Sequence, residues 1–387
     1  MSGSRWMSCV FARSGRRVCV RACAVIAAPV ALLAFAPRAF ADVTVALRGN
    51  AEPVTGIGAV AALRGLEVQQ PGTKGTIVLP WDVVRSVEGA TIVGLEGELA
   101  VGQDLWRGRI RVERGDEALA EPLLAKHWER YRLQDGPTTA VVAEGLLRCA
   151  LARQDLRAAV EPWFVCLRIG SNGEPSRFPD MPGVLDDTTG LLPELSPFLP
   201  ESRRAELAEA LASVAKASAG GNATAGIAAE CAARLARMLS ATEPGSAIAA
   251  ATDPGRDAAP SVRALGLIET ILTAPDRRSA DRAVAEFERV LPDPPGYLGA
   301  WKLAAAGAQA ARLARATQGD ARGRALEEAA LALLAVPASG LDKTGLVDAY
   351  ALEEAVALLK DAGDKVSSVQ VEAILDERLR DAAGGKR

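Results

Sequence analysis

The chain has one histidine, His127, in 387 residues, and only 4% of its residues are aromatic. A Ser-His-Asp site has a single residue to draw on, and a His-x-x-x-His metal site, which needs two histidines, is excluded. Cysteine is almost as scarce. Six are present, and only Cys149, Cys166 and Cys231 lie beyond residue 41. An odd, sparse set is not a disulfide framework, and no Cys-x-x-Cys pair offers a structural zinc site. No block of Lys and Arg tracks a phosphate backbone, which disfavours nucleic acid as a partner. No second long apolar run follows the first 41 residues, so no membrane span is expected after them.

What is present begins with an arginine-bearing head: Arg5, Arg13, Arg16, Arg17 and Arg21. An uncharged run from Ala22 to Ala36 follows, then Ala39-Phe40-Ala41, with small residues where a signal peptidase needs them. The run is shorter than the roughly 18–20 residues of a bilayer span. These features predict an exported protein, periplasmic or secreted, cleaved after Ala41; the alternative is an uncleaved anchor. Six arginines and no acid fall in that segment, which leaves 39 basic against 48 acidic side chains, a net charge of −9, from Asp42 onward.

Residues 42–96 read as β structure. Val43, Val45 and Leu47 alternate with small or polar residues, and Leu63, Leu66, Val68, Thr76 to Leu79, Val83, Val84 and Val87 continue the pattern between glycines. Four or five short strands predict a small antiparallel module of the SH3 or Sm-like kind. Within it, residues 75–89 read as a last hairpin, turning at Pro80-Trp81-Asp82, with Trp81 capping the barrel end.

From Gly97 the pattern changes to helix, with apolar residues at three and four spacing. In residues 97–170, Trp106, Gly108 and Ile110 precede a Gly115-Asp116 turn, and Ala120 and Leu124 follow. Leu146, Leu147 and Cys149 then precede Gln154-Asp155, with Ala159, Trp163 and Cys166 after it. Ala120-Glu121-Pro122 and Val160-Glu161-Pro162 are expected near helix starts, where proline is tolerated. These two units resemble the tetratricopeptide repeat (TPR), a helix–turn–helix module in which small residues let helices approach and large ones fill the groove of the next. The resemblance implies a helical-hairpin array that binds a protein or peptide.

Residues 171–200 form a Pro/Gly-rich loop whose Phe178, Met181, Leu191, Leu192, Leu195, Phe198 and Leu199 are expected to pack on helices. A C-terminal helical array occupies 201–387, with helices predicted at 202–217, 222–240, 260–273, 278–290, 297–316, 321–335, 343–361 and 366–381. The fold class expected is mainly α, a TPR-like array behind a small β module.

Few residues suggest chemistry. His127 reads as a helix-surface or hairpin-interface residue before it reads as a general base. Gly56-Ile57-Gly58-Ala59-Val60-Ala61 matches a loose dinucleotide fingerprint but has no room for the helix that must follow. Gly72-Thr73-Lys74-Gly75 lacks P-loop spacing. Asp342-Lys343-Thr344-Gly345 matches a phosphorylated-aspartate motif by four residues only. Asp186-Asp187 is a paired carboxylate that reads as solvated turn acids before it reads as a cation site. Cys149 and Cys166 read as small buried hydrophobes, with a disulfide between them as the alternative. Trp81, Trp106, Trp128, Trp163 and Trp301 read as packing anchors rather than a ligand groove. No catalytic, cofactor or metal residue is assigned. The expectation is an exported, non-enzymatic scaffold for a protein or peptide partner of the cell envelope. The alternatives are an envelope hydrolase using acidic residues alone and an assembly protein whose β module docks by edge pairing.

Overall fold

Six short strands open the described chain: β1 (Val43–Leu47), β2 (Val54–Gly56), β3 (Gly58–Ala62), β4 (Gly65–Gln69), β5 (Thr76–Leu79) and β6 (Val84–Glu88). The computed structural model describes residues 42–49, 51–72, 75–217, 223–243, 251–255 and 257–384. The expected signal segment, its cleavage site and Thr73-Lys74 lie outside them. The strands form two antiparallel sheets, ordered β2-β1-β6 and β3-β4-β5. Alternation supplies the shared core: Val43, Val45, Leu66, Val68 and Val84 are buried around Trp81.

Residues 75–89 are not a hairpin. β5 pairs with β4, and β6 pairs with β1, so the Pro80–Val83 turn carries the chain from one sheet to the other. Trp81 decides this. Its ring is fully buried and donates its indole N–H to the Ala62 carbonyl at 2.8 Å, while Val83 N–H bonds the Pro80 carbonyl at 3.2 Å. A large ring with one polar atom is held between sheets rather than laid over a barrel mouth. The loose dinucleotide match is the β2–β3 corner, where a Cβ on Gly56 would come within 2.5 Å of Val68 Cγ1. No helix follows it.

The rest is mainly helical: α1 (Leu95–Glu113), α2 (Glu117–Ala125), α3 (Trp128–Tyr131), α4 (Pro137–Ala152), α5 (Leu156–Gly170), α6 (Glu201–Ala217), α7 (Ala223–Ala241), α8 (Pro260–Thr273), α9 (Arg277–Val290), α10 (Gly296–Ala316), α11 (Ala321–Ser339), α12 (Leu346–Ala362) and α13 (Lys365–Gly384). No described helix is long and apolar enough to cross a membrane. Consecutive long helices pack as pairs. α1 and α2 both touch α4, α8 and α9 both touch α10, and α10 and α11 both touch α12. In the middle the relay changes, with α5 touching α6 and α7, and α7 touching α8. Pro122 and Pro162 lie inside α2 and α5 rather than at their starts. Burial of Leu124 and of Trp163 and Phe164 holds these helices together despite the hydrogen bond each proline removes.

Turn chemistry sets several helix ends. Asp155, Asp276 and Asp364 accept the backbone N–H groups of Ala158, Ser279 and Ser367 at 2.9, 2.8 and 3.0 Å. The residue before Asp364 is Gly363, with positive φ, and Gly115 before Asp116 adopts the same backbone although Asp116 makes no side-chain cap bond. At Asp155 the preceding residue is Gln154, which still adopts φ 58°, a conformation that favours glycine.

The turn that holds Trp81 joins the β module to the helices. Trp81 N–H donates to Thr138 Oγ1 at 3.2 Å, and that hydroxyl donates to the Arg64 carbonyl at 2.8 Å. α1 crosses the same turn at Gly102, where a Cβ would lie 2.3 Å from the Trp81 carbonyl oxygen. Leu124 seals the next layer, its methyls lying where side chains on Gly108 and Gly145 would otherwise stand.

Candidate functional site

The loop at 171–200 packs as its apolar residues require. Phe178, Leu191, Leu192, Leu195, Phe198 and Leu199 are buried, and Met181 packs beside them. Its first half is pinned from α4 by two charged residues one turn apart. Glu144 accepts Arg148 at 2.8 Å, the Ser176 hydroxyl at 2.8 Å and the Arg177 N–H at 3.1 Å. Arg148 donates to the Pro182 carbonyl at 3.0 Å and lies over the Phe178 ring at 5.1 Å. Both side chains are buried, so the pair is fixed in one geometry and saturated by the loop it holds.

Holding the loop off the helices leaves a half-open cavity of about 410 Å³ between α4, α5, residues 174–190 and the start of α8. That is the size range of small-ligand or side-chain pockets. Leu167, Ile169, Val184 and Leu185 give it apolar wall; Glu174, Asp187, Ser171 and Thr188 give it polar rim. No basic or aromatic side chain lines it among the described residues. A second groove of about 480 Å³ runs over α6, α7 and α8. Two of its charged groups are spent on each other, with Arg237 Nε donating to Glu269 at 2.8 Å, while Glu209 lies on its α6 side.

The residues singled out from sequence fall in separate places. Asp186 closes a turn: its Oδ1 accepts the Thr189 N–H at 2.8 Å and hydroxyl at 2.7 Å, and Thr189 Oγ1 meets the Tyr297 hydroxyl at 2.7 Å. Asp187 is exposed on the cavity rim. The two carboxylates therefore do different jobs, one structural and one free. Asp342 is a capping residue. Its Oδ1 accepts Thr344 N–H and hydroxyl, and its Oδ2 accepts the N–H groups of Val347 and Asp348 at 2.8 and 3.1 Å, at the start of α12. The four-residue match to a phosphorylated aspartate is a helix-start motif, and it moves the start of α12 from 343 to Leu346.

His127 is buried at the junction of α2 and α3, with Nε2 3.1 Å from Asp104 Oδ2, an oxygen that also takes Lys126 at 2.9 Å. It is a hairpin-interface residue. Cys149, Cys166 and Cys231 are free and buried. Cys149 packs among α1, α2 and α4, whereas Cys166 belongs to the main core, so the disulfide between them does not form. Burial pushes the Cys149 and Cys231 thiols up to about 12 and the Cys166 thiol well above its ordinary value. A thiol so far from its thiolate is a small hydrophobe, not a nucleophile. Trp81, Trp163 and Trp301 are fully buried, and Trp128 donates to Glu161 at 3.3 Å. None of the five tryptophans lines the cavity.

Two features escaped the sequence reading. The Glu144–Arg148 clamp carries an i,i+4 signal that was available. The assembly of Arg48, Arg85, Arg107 and Trp106 at the junction of β6 and α1 carries none, because β register brings distant residues together. In comparisons with known proteins, no family model, no curated protein and no solved structure matches the chain.

Proposed function

We propose that the protein is an exported, non-enzymatic adaptor, freed from its signal segment after Ala41, whose helical array holds a segment of a protein partner in the cell envelope. Sequentially packed helix pairs support a TPR-like reading of the array: Gly108 and Ala120 give α1 and α2 close contact, and Leu124 fills the layer against α4. The two small sheets support an SH3-like reading of the β module.

The single observation that carries the docking reading is the cavity beside the clamped loop. Its shape is fixed by the buried Glu144–Arg148 pair, and its rim keeps Asp187 free of the structural bonds that consume Asp186, Asp342 and His127. A rigid, half-apolar recess with free polar rim groups takes a side chain or chain end of a partner at low ordering cost.

The test places a photo-reactive amino acid at Asp187 in the full chain expressed in its own envelope. A discrete, reproducible crosslinked protein is expected, and the additional change Gly183→Trp, which fills the cavity, is expected to abolish it. A protein recovered free from irradiated cells, with no crosslink from Asp187, overturns the reading.

A further inference from the structure

β1 and β6 pair with a fault. Ala46 faces Ser86 and Leu47 faces Val84, so Arg85 is an extra residue with no partner on β1. A bulge of this kind re-aims a side chain and is common at sheet edges. β6 is the edge strand of its sheet, and Arg85 is exposed.

Beside it, Arg48 follows β1 with its N–H on the Val83 carbonyl at 2.8 Å. Its guanidinium is fixed by Nη1 donating to the carbonyls of Trp81 and Asp82 at 3.4 and 3.3 Å, and it lies 5.9 Å from the centre of the Trp106 ring. The next residue on α1, Arg107, is exposed. Trp106 is half-buried and presents part of its ring at the same place.

None of Arg48, Arg85 and Arg107 forms an ion pair with a described residue. The nearby carboxylate, Asp82, is fully buried and already lies 2.7 Å from Arg109. Burial lowers the Arg48 guanidinium from its ordinary value, Asp82 draws it back up, and Arg85 and Arg107 lower it further. A guanidinium beside an aromatic ring, with two further like charges near enough to bear on it, is an unfinished arrangement. Each guanidinium offers planar paired donors that fit carboxylates two at a time.

We propose that β6, Arg48 and the Trp106–Arg107 turn of α1 form a docking surface for an acidic segment of a partner protein. The inference rests on the adaptor reading and names the chemistry of the partner. Charge selects a short segment over a long polyanion. The chain from Asp42 carries a net charge of −9, so an anionic membrane or nucleic acid meets repulsion outside the patch. A short acidic peptide stays within about one Debye length, roughly 10 Å, of the arginines.

The experiment is fluorescence anisotropy on the full chain with a labelled peptide of alternating glutamate and threonine. Phosphatidylglycerol vesicles and a single-stranded DNA oligonucleotide are run beside it. The peptide is expected to bind, to weaken as salt rises, and to lose about tenfold or more in affinity in Arg85→Ala/Arg107→Ala. It is expected to be unchanged in Arg322→Ala/Arg324→Ala, two exposed arginines on α11. No binding, or equal binding by both variants, overturns the proposal. Vesicles or DNA binding through Arg85 and Arg107 while the peptide does not also overturns it, in favour of that partner. A crosslink from Asp187 that survives peptide failure leaves the adaptor reading standing and sinks only this surface.

Discussion

Arginine is used differently at the two ends of the molecule. Several arginines of the helical array are buried or half-buried and answered. Arg234 is fully buried between Glu269 at 2.5 Å and Glu230 at 2.8 Å. Arg315 meets Glu354 at 2.7 Å, while Arg204 spends its donors on the Leu199 and Thr242 carbonyls at 2.8 and 2.9 Å. At the β6–α1 junction Arg48, Arg85 and Arg107 gather without a carboxylate of their own. The same residue type is a positioning device in one place and an open valence in the other. Buried pairs add little net stability over an apolar substitute, but removing one partner leaves a charge stranded. Exposed arginines cost nothing to remove unless something outside the chain uses them.

Several substitutions sharpen that contrast. Arg234→Ala should have the largest effect, about 3–5 kcal/mol of stability, because it empties a fully buried site, takes from Glu269 one of its two arginines and strips Glu230 and the Thr252 carbonyl of their shared donor. Urea unfolding checks it, and a loss below about 1 kcal/mol would mean that water reaches the site. Gly102→Val should cost about 1–3 kcal/mol by driving a side chain into the Trp81 carbonyl, read as a lower thermal midpoint. Next comes a pH effect. Burial, then the Asp342 carboxylate, raise Asp348 from 3.8 to about 6. The folded chain therefore keeps a proton on Asp348 that the unfolded chain releases near pH 4, and this group's contribution to stability falls as pH rises from about 4 to about 6. Asp348→Asn should flatten that slope, with the folded and unfolded populations compared across the window. Gln154→Gly should raise stability by about 0.5–1 kcal/mol, since the backbone already sits at φ 58°.

The helical part of this fold was legible because period and punctuation agree: apolar spacing placed the helices, and Gly-Asp or Gln-Asp pairs placed several turns. Boundaries slipped where a side chain acts on the backbone. Asp342 collects four donors and delays α12 to Leu346, and α11 continues through Pro337 to Ser339 instead of ending at 335. The β module was legible as β but not in its pairing. β5 and β6 flank a short turn around the buried Trp81, yet they pair in different sheets. The cavity was half visible: apolar residues foretold that the loop packs, but not that Glu144 and Arg148 hold its first half away from α5. The arginine cluster was invisible, since nothing in the spacing of Arg48, Arg85 and Arg107 hints at the register shift of β1 against β6 or at the strand pairing that brings Arg48 beside the Trp106 ring.

The division of labour between arginines is tested most directly by urea unfolding of two full-length variants side by side, Arg234→Ala and Arg85→Ala/Arg107→Ala. The double variant should stay within about 0.5 kcal/mol of the parent while Arg234→Ala falls by about 3–5 kcal/mol. Comparable losses in both would contradict the account, making Arg85 and Arg107 part of the folded core rather than a surface held ready for a partner.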